Sequence, residues 1–329
     1  MKKIGLIFVG LLIVVAIFYI STKSGPPLAY IPNAGEGTIS VIDTKKDEVV
    51  RTIKVDNQLS DGIEVSLDGK KIYAGNYDKG ELFIINSDTG EVEKKIDTGV
   101  NLHGIDITPD GRYLYLASGD LKEGEQYNFI KVVDTKREEI IKEIKSPSKS
   151  PAHIDFSNDG SLAYVSNVMS NDISLIDTRK MEIISTIPVG TTPNELEPSK
   201  DDKYLFTANV TDGTISVVDI VEQKEIRTIK AGDGTHGLEL SPDGKFLYAA
   251  NRSSNDLIKF NLENYEITKK VITGDSANHV SYVPGINKLY VTNKDSNDLT
   301  VVDDESFEVI KKVELGKTPH EISFSNLTK

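Results

Sequence analysis

Hydrophobic positions along this chain fall in short runs of roughly four to seven residues, separated by Asp-Gly, Asn-Asp and Asp-Thr punctuation. A representative stretch opens with the alternating Gly104-Ile105-Asp106-Ile107 and turns at Pro109-Asp110-Gly111. It continues as a Tyr-rich run from Tyr113 to Ala117, a β-branched run from Ile130 to Val133 and a charged alternating run from Glu139 to Ile144. Alternation with period two places apolar side chains on one face of a strand, and β-branched and aromatic residues suit that surface. Outside the N-terminus no segment sustains a 3.6-residue period. The pattern therefore predicts an all-β chain built from four-stranded units.

The units recur. An Asn ends one hydrophobic run and an Asp or Asn ends the next, at Asn33 and Asp43, Asn76 and Asn86, Asn167 and Asp177, Asn209 and Asp219, Asn251 and Asn261, and Asn293 and Asp303. A seventh pair, Ser118 and Asp134, carries extra residues between its members, including the loop Asp120 to Gln126. The spacing between units is about 42 residues, within the range of repeat architectures. The first unit begins at its second strand, Leu28 to Ile31, and the chain finishes on an isolated first strand, His320 to Phe324. Two orphan strands would leave open sheet edges, whereas a closed ring pairs them with each other. The expected fold is an all-β, seven-bladed β-propeller of four-stranded antiparallel blades over residues 28–329, closed by the C-terminal strand joining the N-terminal blade.

Tyr290-Val291-Thr292-Asn293 reads as the signature of the YVTN repeat, and Tyr164 to Asn167, Tyr204 to Asn209 and Tyr248 to Asn251 are close variants. Ser241-Pro242-Asp243-Gly244 before and Ser216-Val217-Val218-Asp219 after such stretches fit the same repeat. From Leu28 onward the chain resembles the YVTN-repeat β-propellers, the YncE-like and surface-layer-like group. That resemblance implies the β-propeller fold. It does not select an activity, because relatives range from surface-layer proteins and lactonase-like propellers to a periplasmic single-stranded DNA binder and haem- or copper-carrying propellers.

Composition refines the setting. Behind Lys2 and Lys3, Ile4 to Ile20 is an unbroken run of apolar or Gly residues, longer than the usual signal-peptide core and close to the length of a membrane span. Residues 1–20 are therefore read as an uncleaved signal anchor with its lysines inside, with a cleaved signal peptide as the alternative, and 21–27 as a polar linker. The expected location is the cell membrane, single-pass, with the propeller outside the cytoplasm, or a secreted or periplasmic form after cleavage. The chain has no Cys, which excludes disulfides, thiolate metal sites and covalent Cys-x-x-Cys-His haem attachment. A formal charge of −13 argues against nucleic acid, since phosphate contacts need concentrated Lys and Arg. Lysines such as Lys94, Lys95, Lys142, Lys269 and Lys270 are spread over the fourth strands, where they protect exposed edges.

Candidate chemistry gathers at one point of the repeat. All five histidines, His103, His153, His236, His279 and His320, stand at or next to the start of a first strand, and first strands line the axis of a propeller. Asp61, Asn194 with Glu195, Asn278 and Glu321 occupy the same point in their units. Two readings compete: imidazoles that cap turn carbonyls in a water-lined tunnel, and a metal centre of Cu, Fe or Zn type. By register, His103, His236, His320 and Asp61 form a principal set and His153 and His279 a second tier, one residue out of phase. Further along the same strands Glu64, Asp106, Asp155, Glu197 and Glu239 form a row of carboxylates that would suit a hard cation such as Ca²⁺ or guide cations inward. No nucleophile elbow, phosphate loop or His-Glu-x-x-His pair is present. The expected function is a membrane-tethered binding or scaffold protein whose hub face takes a metal, small ligand, peptide or protein. The alternative is a hub-site metalloenzyme, a copper or haem redox or maturation protein, or a lactonase-like hydrolase.

Overall fold

The computed structural model describes residues 27–99, 101–119 and 128–325. Among these, seven four-stranded antiparallel sheets account for all the strands. Blade 1 contains Leu28–Asn33, Thr38–Asp43 and Glu48–Lys54, and Ser323–Phe324 supplies its innermost strand. Ala29 pairs with Phe324 and Tyr30 with Ser323, so the two ends of the chain close the ring. The innermost strands of blades 2 to 7 are Ile63–Val65, Leu102–Ile107, Pro151–Phe156, Pro193–Pro198, Thr235–Leu240 and Ala277–Tyr282. The anticipated seven-bladed closure is thus present. The apolar segment Ile4 to Ile20 lies outside the described residues, as does the loop Asp120 to Gln126. No helix among the described residues is long and apolar enough to cross a membrane.

The two middle strands of each blade are buried almost throughout, whereas the fourth alternates or faces solvent. The core accordingly lies between neighbouring blades. Tyr73, Tyr115, Tyr164, Tyr248 and Tyr290, the aromatic markers of the repeat, are each no more than 2% exposed and fill the space between sheets. Burying such a ring contributes on the order of 2 to 3 kcal/mol.

The repeat markers have local causes. Asn293 is fully buried; its amide donates to Thr300 Oγ1 at 2.8 Å and Asp298 Oδ1 at 2.5 Å, and its oxygen accepts from the Gly274 N–H at 2.9 Å. Asn33, Asn167 and Asn209 make the corresponding 2.9 Å bond to Ser40, Ser174 and Ser216. A Cβ on Gly274 would lie 2.6 Å from Asn293 Cγ, so this glycine makes room for the Asn, as Gly190, Gly232 and Gly316 do for Asn209, Asn251 and Asn33. Ser66, Thr108, Ser157 and Ser241 each donate at 2.7 to 2.8 Å to the Asp two residues on. The Gly that follows takes φ of 68 to 71°. Both features favour tight turns joining the first strand of a blade to its second.

Candidate functional site

Each first strand enters the ring with its His or acidic residue and then runs along the axis in the same direction. At the entrance the pairing with the second strand is irregular, with register shifts between Leu102 and Ile105, Pro151 and Ile154, Pro193 and Leu196, Thr235 and Gly237, and Ala277 and Val280. Such bulges redirect side chains from the strict two-residue alternation. Residues one position apart in the repeat therefore converge, and all five imidazoles meet at the hub. Ring centroids lie 5.2 Å apart for His103 and His153, 5.4 Å for His153 and His279, 4.8 Å for His236 and His279, 6.0 Å for His153 and His236, and 5.8 Å for His279 and His320.

Hydrogen bonding divides these rings into two sets, along a different line from the register. Asp61 holds His103 Nε2 at 3.3 Å through one oxygen and His320 Nε2 at 3.2 Å through the other. The Asn278 amide donates to His320 Nδ1 at 3.0 Å, so that ring has a partner on both nitrogens. In the second set, His153 Nδ1 lies 2.9 Å from Glu321, His279 Nδ1 2.9 Å from Glu195, and His236 Nδ1 3.1 Å from the Asn278 carbonyl. All three thus present Nδ1–H to an oxygen, which turns Nε2 to the other side of each ring. Nε2 of His153 and His279 is buried without a hydrogen-bond partner. Ligand atoms of His153, His236 and His279 all lie within 4.8 Å of one another.

The electrostatics follow from burial and partners. Burial holds His236 well below the ordinary imidazole value, and the Arg252 charge adds to it. Burial also lowers His320 and His103, against the pull of Asp61. At His153 burial again favours the neutral ring, but Glu195 and Glu321 outweigh it and push the value up to about 9. A proton on His153 Nε2 would face no acceptor among the described residues; a metal ion there would use the same lone pair. Burial alone would raise Asp61 and Glu195, yet the histidines beside them hold both carboxyls low.

The carboxylate row lies further along the strands. Glu64, Asp106, Asp155, Glu197 and Glu239 line a cavity of about 210 Å³ together with Glu195, Glu321 and His279. Burial and the neighbouring Glu239 and Asp155 raise Glu197 well above the usual carboxylate range, and burial pushes Glu239 up to about 8. At the opposite end, Arg252 Nε donates to the Asn278 side-chain oxygen, and the Tyr77 ring stands 6.3 Å from that of His103. Sequence reasoning did not single out Arg252 or Tyr77. Their signal was available, because each directly follows the marker Asn of its blade. A larger cavity of about 560 Å³ lies away from the hub, between the turns of blades 3 and 4, and contains Arg112 and Arg179.

Comparison with known proteins bears on the fold. A family described as the YncE-like β-propeller matches residues 108–326. An uncharacterized protein of Staphylococcus epidermidis is 29% identical over 147 residues, 38% of this chain and 42% of that protein. The uncharacterized protein YncE of Salmonella typhimurium is 25% identical over 173 residues, 51% of this chain and 46% of its own length. The chain therefore spans less than half the length of these curated relatives. Among solved structures, a functionally unknown protein from Desulfotomaculum acetoxidans superposes with a TM-score of 0.78 at 16% identity, covering 91% of this chain and 98% of its own. Kuenenia stuttgartiensis hydrazine synthase gives 0.73 at 18% identity, covering 89% and 99%. The dihydro-heme d1 dehydrogenase NirN gives 0.66 at 16%, covering 90% and 74%. At these identities the likeness concerns the fold.

Proposed function

The chain belongs to the YncE-like β-propeller family, and from that premise we propose that it is an extracytoplasmic binding protein whose hub holds a transition-metal ion between His153, His236 and His279. One observation carries the reading: three buried imidazoles converge within 4.8 Å while an oxygen partner holds each Nδ1. Glu321, Glu195 and the Asn278 carbonyl stand where the outer partners of metal-bound histidines stand, orienting the ring and raising its basicity. Imidazole nitrogen suits Zn²⁺, Cu²⁺, Ni²⁺ or Fe²⁺ and gives a hard ion such as Ca²⁺ little reason to prefer this cluster. His103, His320 and Asp61 would form the supporting wall, since Asp61 already engages both rings. The extracytoplasmic setting and the membrane tether rest on the Ile4 to Ile20 run behind Lys2 and Lys3.

Metal analysis and calorimetric titration of untagged protein test this proposal. About one equivalent of Zn²⁺ or Cu²⁺ is expected, with His153→Ala and His279→Ala each weakening binding at least tenfold. Absence of stoichiometric binding in the intact protein, or binding unchanged in both variants, would overturn it. The redox and hydrolytic alternatives would draw on the same ion, so metal binding is the measurement to make first.

A further inference from the structure

The channel is electrically asymmetric along its axis. All the first strands run the same way, so their entrances carry the histidines and their later residues carry Glu64, Asp106, Asp155, Glu197 and Glu239. The cavity at the later end is lined by these carboxylates and also by His279, whose Nε2 is buried and unpartnered. An acidic row thus leads directly onto a ring of the histidine cluster. At the other end the residues after the marker Asn carry Tyr77, Arg252 and Lys294. Arg252 is anchored on Asn278, the residue that also contacts His236 and His320. Lys200 stands near Glu197 and Glu239 and offsets part of the acidic field, while Glu64, Asp106, Asp155, Glu195 and Glu321 line the same cavity.

We propose that hydrated divalent metal ions reach the hub through the acidic cavity and not through the Arg252 end, the carboxylate row serving as a cation-selecting route to the histidine cluster. This inference rests on the metal reading above. Low-dielectric walls lined by one sign of charge focus the field and raise cation association rates about 10- to 1,000-fold, an effect that salt weakens. The same field disfavours anionic metal chelates, so the species admitted is the aquo cation.

The test is stopped-flow loading of the intact apoprotein with Co²⁺ alone, followed by its visible absorption. In the Asp106→Asn/Asp155→Asn double variant the association rate should fall about tenfold at low salt while the dissociation rate stays within twofold of the parent. Its salt dependence should also be shallower. Lys294→Gln, at the far end, should load within twofold of the parent. An Asn oxygen can still accept the backbone N–H that each of these Asp side chains accepts, so thermal unfolding of the double variant is expected to stay close to the parent and confirms that it is folded. Unchanged loading in the double variant, or a larger effect of Lys294→Gln, would overturn the route while leaving the metal site standing. A parent protein that takes up no Co²⁺ would overturn both.

Discussion

At the scale of single residues, the fold repeats a few polar arrangements whose loss can be measured. In Asn293→Ala the Gly274 N–H and the Thr300 hydroxyl lose a buried partner. Leaving buried groups unpaired costs about 1 to 3 kcal/mol each, so chemical denaturation should show a loss of at least about 2 kcal/mol. Glu239 gives a pH dependence with a definite sign. Its carboxyl takes up a proton in the folded state up to about pH 8 but in the unfolded chain only to about 4.5. Between those values the native state binds more protons, so stability is greatest below the lower value and declines as pH rises through the upper one. Measured from pH 5 to 9, the melting temperature of the parent should fall relative to that of Glu239→Gln across that window. A Glu239→Gln curve with the same slope as the parent would contradict the environment described for this carboxyl. The histidines and carboxylates were legible in the sequence because the repeat maps every unit onto one axis. Their partition was not, since strict alternation sets His153 and His279 apart from His236. The bulged strand entrances instead unite those three and leave His103 and His320 to Asp61.

At the scale of elements, the orphan runs at the two ends of the chain sufficed to infer closure, because a strand with one buried face and no partner is costly. Pairing of Ala29 with Phe324 and Tyr30 with Ser323 fulfils that requirement. The same strand brings His320 and Glu321 to the hub, so closure of the ring and completion of the site are one event. Deleting Thr318 to Lys329 should lower the melting temperature by more than 10 °C or abolish cooperative unfolding, as followed by circular dichroism. A truncation that melts like the intact chain would refute this dependence. Strand boundaries in the regular blades were readable because Asn and Asp punctuate them. The short first strand of blade 2, Ile63–Val65, was less so, since Ser60 stands where blade 3 has the apolar Leu102.

At the scale of the whole molecule, the hub histidines belong to different blades, so a ligand bound by them ties separate sheets together. Binding to the native state alone stabilises it by about 2.7 kcal/mol at a ligand concentration 100 times Kd. Saturating Zn²⁺ should therefore raise the melting temperature of the parent by several degrees and leave a His153→Ala/His279→Ala variant unmoved. Calorimetry on both proteins checks this. Equal shifts in the two would place the stabilising ion elsewhere.

The closure of blade 1 also fixes an orientation. Leu28 lies beside Ser325, just past the end of the innermost strand, and its N–H donates to the Ser325 hydroxyl. The chain therefore enters the propeller on the face where the carboxylate row opens, opposite the face of Arg252 and Tyr77. Seven residues of any conformation, the number in 21–27, span at most about 25 Å. Any surface that holds this protein by its N-terminal segment would hold the acidic mouth toward itself, so the hub would sample the thin layer of solvent beneath the disc and not the open medium above it.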